Sequence, residues 1–347
     1  MKNAEKQDCI EILDRNHNEL KTLHNKTLFV TGATGFIGSA FVKAILYYNL
    51  NSNANIKIIA LVRDVNRAEK IFASLISDNL FFVEGTVENL PSINYQIDYI
   101  LHGASMTSSA DFVNKPVDTI EITLKGTENI LKLAKEKKVE SVVYLSTMEI
   151  YGAIHDKSNY ISESNYGYID ILNVRNSYPQ SKKMADTMCL AYAKQYGVNV
   201  NIARLTQTIG PSIDYYDTRV AALFARAVIE GRDIILNTKA ETTRNIIYIT
   251  DAISALLILL NNGQSGEAYN VAYSKEVLSI ADTAEMIASK IAEGKTKVVF
   301  DLKNMEEYNI NKELFLQLDT SNIQALGWRA EVDIEEAYRR MIKGMRE

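Results

Sequence analysis

Thr27-Leu28-Phe29-Val30-Thr31-Gly32-Ala33-Thr34-Gly35-Phe36-Ile37-Gly38 decides the architecture of this chain. Five residues of high β propensity lead into a turn with glycine at every third position. The apolar residues Phe41, Val42, Ile45 and Leu46 then repeat at helical spacing. Strand, glycine turn and helix in this order are the context in which the pyrophosphate of a dinucleotide is held. Gly32 permits the tight turn, Gly35 lets the backbone approach a phosphate, and Gly38 allows the helix to pack on the sheet. The anion then rests on the free N–H groups and positive dipole end of the helix. Gly32, Thr34, Gly35, Phe36, Ile37 and Gly38 are the candidate cofactor residues of this turn.

Outward from the turn, strands and helices alternate. A second strand, Ile56 to Val62, ends in Arg63-Asp64. An acidic residue there binds adenosine ribose hydroxyls, whereas an Arg accommodates a 2′-phosphate. With both side by side, NAD and NADP stay open, Arg63 leaning toward NADP; a surface Arg capping a strand is the plainer alternative. Leu80 to Glu84 and Tyr99 to Leu101 read as the third and fourth strands. The fourth runs into His102-Gly103-Ala104-Ser105, where Gly103 and Ala104 leave room for a cofactor ribose and His102 reads as an orienting or packed residue. A helical pattern from Val117 to Lys138 precedes the apolar run Val142 to Leu145. Such alternation predicts a parallel sheet covered on both faces.

Beyond about residue 205 the alternation loosens. Short strands at Ile234 to Leu236, Ile246 to Ile249 and Val298 to Phe300 mix with helices at Val220 to Glu230, Asp251 to Leu260 and Ile280 to Ile291. The expected fold is therefore α/β, a Rossmann-type doubly wound parallel sheet with a smaller mixed α/β C-terminal substrate lobe. Residues 1–25 form a helical extension, 26–204 the dinucleotide-binding domain, and 205–347 the substrate lobe, parts of which return to pack on the first domain. In the extension, Ile10, Leu13, Leu20 and Leu23 among charges suggest a helix packed on the outside, without chemistry. The lone Trp328 reads as core.

With 347 residues, a formal net charge of −5 and 47% hydrophobic residues, the composition is that of a globular protein. Nothing basic enough for nucleic acid stands out. Lys132, Lys135, Lys137 and Lys138 suit the solvated C-terminal end of a helix. Two cysteines make no disulfide framework and point to a reducing compartment. No signal-type run opens the chain, and Ala255 to Leu260 is too short to span a bilayer, so a cytoplasmic protein with no membrane partner is expected. His17 and His24 lack ligand-spaced company, and no metal is expected.

The chemistry gathers in two stretches. Tyr178-Pro179-Gln180-Ser181-Lys182 puts a phenol and an ammonium four residues apart at a helix start, on one face. A nearby positive charge favours the phenolate and makes the phenol a usable base for a hydroxyl proton. Ser177 is expected to cap this helix, with Pro179 in its first turn. The fifth strand delivers Ser146-Thr147-Met148-Glu149-Ile150-Tyr151-Gly152. A hydroxyl at that strand end, near the phenol, can share the proton of a reacting oxygen, and Glu149 gives the site a carboxylate able to abstract a proton α to a new ketone.

The three motifs in order, GATGFIG, STMEIYG and YPQSK, resemble the extended short-chain dehydrogenase/reductase family, in its nucleotide-sugar epimerase/dehydratase branch, over about residues 26–345. The resemblance implies Tyr178 as catalytic base, Lys182 lowering its pKa and holding the nicotinamide ribose, and Thr147 as the hydroxyl partner. It also implies substrate contacts at Thr147, Met148 and Gln207, and an Arg on the sugar nucleotide's diphosphate, Arg244 in ETTRNIIYITD or Arg219. It implies a tightly bound, recycled NAD or NADP, a nucleotide-sugar substrate oxidised at C4, and a homodimer through Val117 to Lys138 and the helix beginning at Tyr178. 4,6-Dehydratases of the branch carry Thr followed by Asp-Glu or Ser-Glu, and decarboxylases of glucuronosyl nucleotides carry Thr-Ser-Glu, so dehydration or epimerisation using Glu149 at C5 is expected, with decarboxylation or net NADPH-dependent carbonyl reduction as alternatives. Met148, Gln207, Thr123 and Thr86 depart from the residues usual in the branch.

Overall fold

The computed structural model describes residues 1–154, 160–302 and 314–347. Seven strands, β1 (Thr27–Thr31), β2 (Lys57–Val62), β3 (Leu80–Glu84), β4 (Tyr99–His102), β5 (Ser141–Thr147), β6 (Val200–Leu205) and β7 (Ala268–Val271), form one sheet. Their spatial order is β7-β6-β5-β4-β1-β2-β3, and every neighbouring pair is parallel. Winding reverses between β1 and β4, so the crevice beyond their C-terminal ends is the switch point at which doubly wound sheets bind ligands. This is the fold class expected from the sequence.

Helices Phe36–Asn51 and Ile249–Asn262 cover one face of the sheet. Helices Pro116–Lys137 and Ser177–Tyr196 cover the other. Being sealed on both sides makes β5 buried at all of its positions, which is why it reads as an apolar run and not as an alternation. Helix Ile249–Asn262 is buried from Ile249 through Leu260. The apolar stretch too short for a bilayer is thus a core helix. Among the described residues no helix is long and apolar enough to cross a membrane.

The edge strand β7 comes from the half of the chain expected to build the lobe, and it returns to pair with β6. In the lobe itself, Gln207–Ile209 pairs in parallel with Ile246–Tyr248, and Ile234–Leu236 with Val298–Phe300. Thr243–Arg244 lies between Leu278–Ser279 and Phe315–Leu316. Trp328 is core, its indole N–H donating to the Asp251 carbonyl at 3.1 Å.

Two local expectations are corrected. Helix Ser177–Tyr196 begins at Ser177, with Asn176 in the cap position, and the Ser177 hydroxyl donates instead to the Phe112 carbonyl at 3.2 Å. In the N-terminal helix Asn3–Arg15, Cys9 and Ile12 take the core positions while Ile10 and Leu13 are only half-buried. The same helix also buries Glu5 and Asp8, a polar face that a count of apolar residues does not reveal.

Candidate active site

At the switch point the backbone of β1 nearly touches that following β4. Gly32 adopts φ +71°, and a Cβ there would lie 2.7 Å from the Gly103 carbonyl carbon and 2.9 Å from the Ala104 nitrogen. A Cβ on Gly38 would come within 2.2 Å of the Gly32 carbonyl oxygen. Helix Phe36–Asn51 has Gly35 as its cap residue and no side-chain cap, so its first-turn N–H groups are left for an anion. Thr34 is half-buried beside them, and Phe36 and Ile37 pack their partly buried side chains on the core. The Thr31 hydroxyl accepts the Ala104 N–H at 3.2 Å and pairs with His102 Nδ1 at 2.7 Å. Burial, with the Lys182 charge adding, pulls His102 down to about 3. The ring is packed in the core, with its other nitrogen paired to the Thr127 hydroxyl at 3.3 Å. A glycine cradle without room for a Cβ, opening on an uncapped helix end, fits a dinucleotide.

Arg63 and Asp64 are both exposed at the end of β2. Asp64 caps the next helix, accepting the Arg67 N–H at 3.0 Å.

Tyr178 and Lys182 occupy successive turns of one helix, both buried. The phenol ring stacks on Phe112, centroids 4.4 Å apart and planes 6° off parallel. Lys182 Nζ donates to the Leu145 carbonyl at 2.7 Å and lies 6.0 Å from the Tyr178 ring centroid. Burial pulls this ammonium down to about 8, opposed by the Asp186 carboxylate one turn further along. The phenol itself is held above its ordinary value, first by burial and then by the charge of Glu149, while a hydrogen bond from Thr147 and the charge of Arg219 act in the other direction. The acidification expected from Lys182 does not appear in this state: Lys182 is not among the groups that act on the phenol, and desolvation holds the phenol up.

Thr147, at the end of β5, is buried and accepts the Glu149 N–H at 3.3 Å, which starts the turn Met148–Tyr151. Glu149 is solvent-accessible yet closely surrounded by protein, the signature of a group lining a cleft. Its carboxyl is raised by that burial and pulled back by Arg244 and Arg175. Arg244 is half-buried, and burial lowers it against the opposing influence of Tyr338 and Glu149. Gln207, Arg244, Tyr338, Val220 and Phe224 line one small cavity of the lobe. Arg219, exposed, has its fork on Asp217 at 2.6 to 3.1 Å.

Met148 departs from the substrate contact expected of it: only 5% exposed, it packs in a small apolar cluster with Ile161, Leu316 and Leu318. Thr123 donates to the Thr119 carbonyl of its own helix at 2.8 Å, and the Thr86 hydroxyl accepts the Asn89 N–H at 3.3 Å. Among the described residues no group of three or more His, Cys, Asp or Glu side chains is placed to hold a metal ion.

The sequence profile of the NAD dependent epimerase/dehydratase family matches residues 28–272. The chain belongs to this family. Among curated proteins it is 27% identical over 332 residues to UDP-glucuronic acid decarboxylase 1 of Xenopus tropicalis, covering 91% of this chain and 71% of that protein. It is also 27% identical over 332 residues to dTDP-D-glucose 4,6-dehydratase of Homo sapiens, covering 93% and 90%. Its fold matches the crystal structure of DesIV, a dTDP-glucose 4,6-dehydratase of Streptomyces venezuelae with NAD and TYD bound. The TM-score is 0.74 at 23% identity, over 92% of this chain and 97% of that one.

Several residues of the site escaped the sequence reading. Phe112, which stacks on the phenol, and Arg175, which faces Glu149, carry no motif of their own. Asp186 and Arg204 form a buried pair at 3.0 Å, and Arg204 also donates to the Tyr151 hydroxyl at 3.0 Å. This ties the helix Ser177–Tyr196 to the turn that carries Glu149. Asp186 stands four residues after Lys182 on the same helical face, a spacing from which it could have been found.

Proposed function

We propose that this chain oxidises the sugar of a nucleoside-diphosphate hexose at C4 and carries out a second step at C5. One observation carries the reading: the buried Tyr178 phenol lies within the electrostatic reach of both Thr147, at the end of β5, and Glu149 two residues on. Tyr178 takes the C4 hydroxyl proton, and Thr147 holds the reacting oxygen against it. Lys182, fixed on the Leu145 carbonyl, keeps a positive charge beneath the phenol and holds the cofactor ribose. When bound, the nicotinamide accepts the hydride and returns it, and its oxidised ring brings a further positive charge. Arg244 and Gln207, on one cavity wall, hold the diphosphate side of the substrate; a guanidinium fork suits phosphate oxygens. Binding energy from the nucleotide then positions the sugar carbon.

The step at C5 divides the family's reactions. A C4 ketone acidifies the C5 hydrogen, and Glu149, its carboxyl raised by its surroundings, is the base for dehydration or epimerisation. Loss of the C6 hydroxyl needs a proton donor, which the buried thioether of Met148 cannot be. A C5 carboxylate, by contrast, becomes a β-keto acid that loses carbon dioxide without a base. Arg175 and Arg244 beside Glu149 favour that second reading, as does the similarity to a UDP-glucuronic acid decarboxylase.

Arg63, exposed while Asp64 caps a helix, supports NADP over NAD. Val117, Ile120, Met184 and Leu190, exposed on the two helices of one face, support a homodimer through them. The composition is consistent with a cytoplasmic protein, and we assign the cofactor domain to 26–204 and the substrate lobe to 205–347. Mass spectrometry of products from UDP-, dTDP-, GDP- and CDP-hexoses and hexuronates tests the whole reading. Loss of water, loss of carbon dioxide or an unchanged mass with altered chromatographic mobility identifies the reaction, and an untouched panel overturns it.

A further inference from the structure

The N-terminal helix Asn3–Arg15 lies outside the residues matched by the family profile, yet a row of its polar side chains is bonded to distant elements of the fold. Its Glu5 accepts from Lys43 of the glycine-turn helix at 2.6 Å, both side chains being buried. One turn further, Asp8 accepts the Tyr248 hydroxyl with both oxygens, at 2.9 and 3.1 Å. Glu11 accepts from Thr250 at 2.8 Å and pairs with Arg340 of the C-terminal helix Ile334–Arg346 at 2.5 Å. Arg15 closes the row on Asp251 at 2.7 Å. Residues 5, 8, 11 and 15 recur at helical spacing and share one face.

The elements these residues grip are the ones that build the nucleotide side of the cleft. Tyr248 ends the strand Ile246–Tyr248, whose Ile246 pairs in register with Gln207, and Arg244 lies two residues before that strand. Arg340 stands two residues after Tyr338, which lines the same cavity as Gln207 and Arg244. Buried ion pairs and hydrogen bonds stabilise weakly but define geometry, since breaking one leaves an unpaired polar group in a dry interior.

We propose that the N-terminal helix is a brace whose Asp8–Tyr248 and Glu11–Arg340 contacts position Arg244, Gln207 and Tyr338 for the substrate's nucleoside diphosphate. Asp8, Tyr248 and Glu11 touch no substrate and act as positioning residues. The proposal rests on the assignment of Arg244 and Gln207 to the diphosphate side.

The test uses the full chain and calorimetric titration with UDP and dTDP, with NAD and NADP titrated in parallel. Tyr248→Phe removes the single hydroxyl that Asp8 holds. It is expected to weaken nucleoside diphosphate binding about fivefold or more, within the usual range of couplings between sites, and to raise KM with kcat unchanged. Dinucleotide affinity should stay at the wild-type value. Asp8→Asn keeps an acceptor oxygen for Tyr248 and is expected to bind both ligands as wild type does. Arg244→Ala separates the two layers of inference. If it binds nucleoside diphosphate as tightly as wild type, the site assignment fails. If it binds weakly while Tyr248→Phe does not, the brace fails and the site stands. Parallel loss of dinucleotide and nucleoside diphosphate affinity in Tyr248→Phe shows general loosening and also overturns the brace.

Discussion

Asp8 gives stability a pH dependence that one substitution removes. The carboxyl is raised from its ordinary 3.8 to about 7, chiefly by burial, with the charges of Glu11 and Glu5 adding and the Tyr248 hydroxyl and Arg340 opposing. A raised carboxyl is protonated in the folded state at pH values where the unfolded chain has already ionised. Its contribution is therefore fully present below about pH 4 and is lost progressively as pH rises through 7. At 1.36 kcal/mol per pH unit, the displacement to about 7 amounts to ~4 kcal/mol by pH 8. Unfolding entropy is ~2.1 cal/mol/K per residue, so for 347 residues that loss is worth ~5 °C in Tm. Asp8→Asn cannot ionise and keeps an acceptor for Tyr248. Thermal melts from pH 4 to 8 are expected to show the variant gaining on wild type by ~5 °C across that window. A constant offset between the curves, which leaves the two profiles parallel, refutes the assignment of a buried, raised carboxyl.

Tyr178→Phe should lower turnover about 10²- to 10⁴-fold, the usual worth of a general acid–base group, while fluorescence titration shows unchanged dinucleotide affinity; wild-type turnover removes Tyr178 from the mechanism. Glu149→Gln should abolish entry of solvent deuterium at C5, measured by NMR of the product, while C4 oxidation still registers as reduced-nicotinamide absorbance. Unchanged deuterium entry puts the C5 base elsewhere. Gly38→Ala places a Cβ 2.2 Å from the Gly32 oxygen, a clash with backbone that cannot yield cheaply, so dinucleotide affinity should fall tenfold or more, roughly 1.4 kcal/mol. Affinity equal to wild type would mean that the helix can slide away from the turn.

The glycine turn was legible because its constraint is local. Strand, turn and helix are contiguous, and the crowding at Gly32 and Gly38 follows from a backbone path that the sequence states outright. Tyr178 and Lys182 were legible for the same reason, being one helical turn apart. Strands β6 and β7 of the main sheet were not read from the sequence. β7 is only four residues long, and its pairing with β6 spans a sequence separation of more than sixty residues. Met148 was misjudged because it stands between two candidate residues, Thr147 and Glu149, whereas the turn Met148–Tyr151 rotates it into a cluster built by Ile161 and Leu318.

By itself the amino-acid sequence determined the parallel sheet, the dinucleotide turn, the phenol and ammonium paired on one helix and the hydroxyl and carboxylate following the fifth strand, since each is set by periodicity or by spacing within one element. Only the tertiary structure decided the desolvation of that phenol, the company of Phe112, Arg175 and Asp186, and the grip of Glu5, Asp8 and Glu11 on distant elements. Those depend on desolvation and on contacts between residues up to 329 positions apart, and burial is a property of how elements pack, which no single stretch of chain contains.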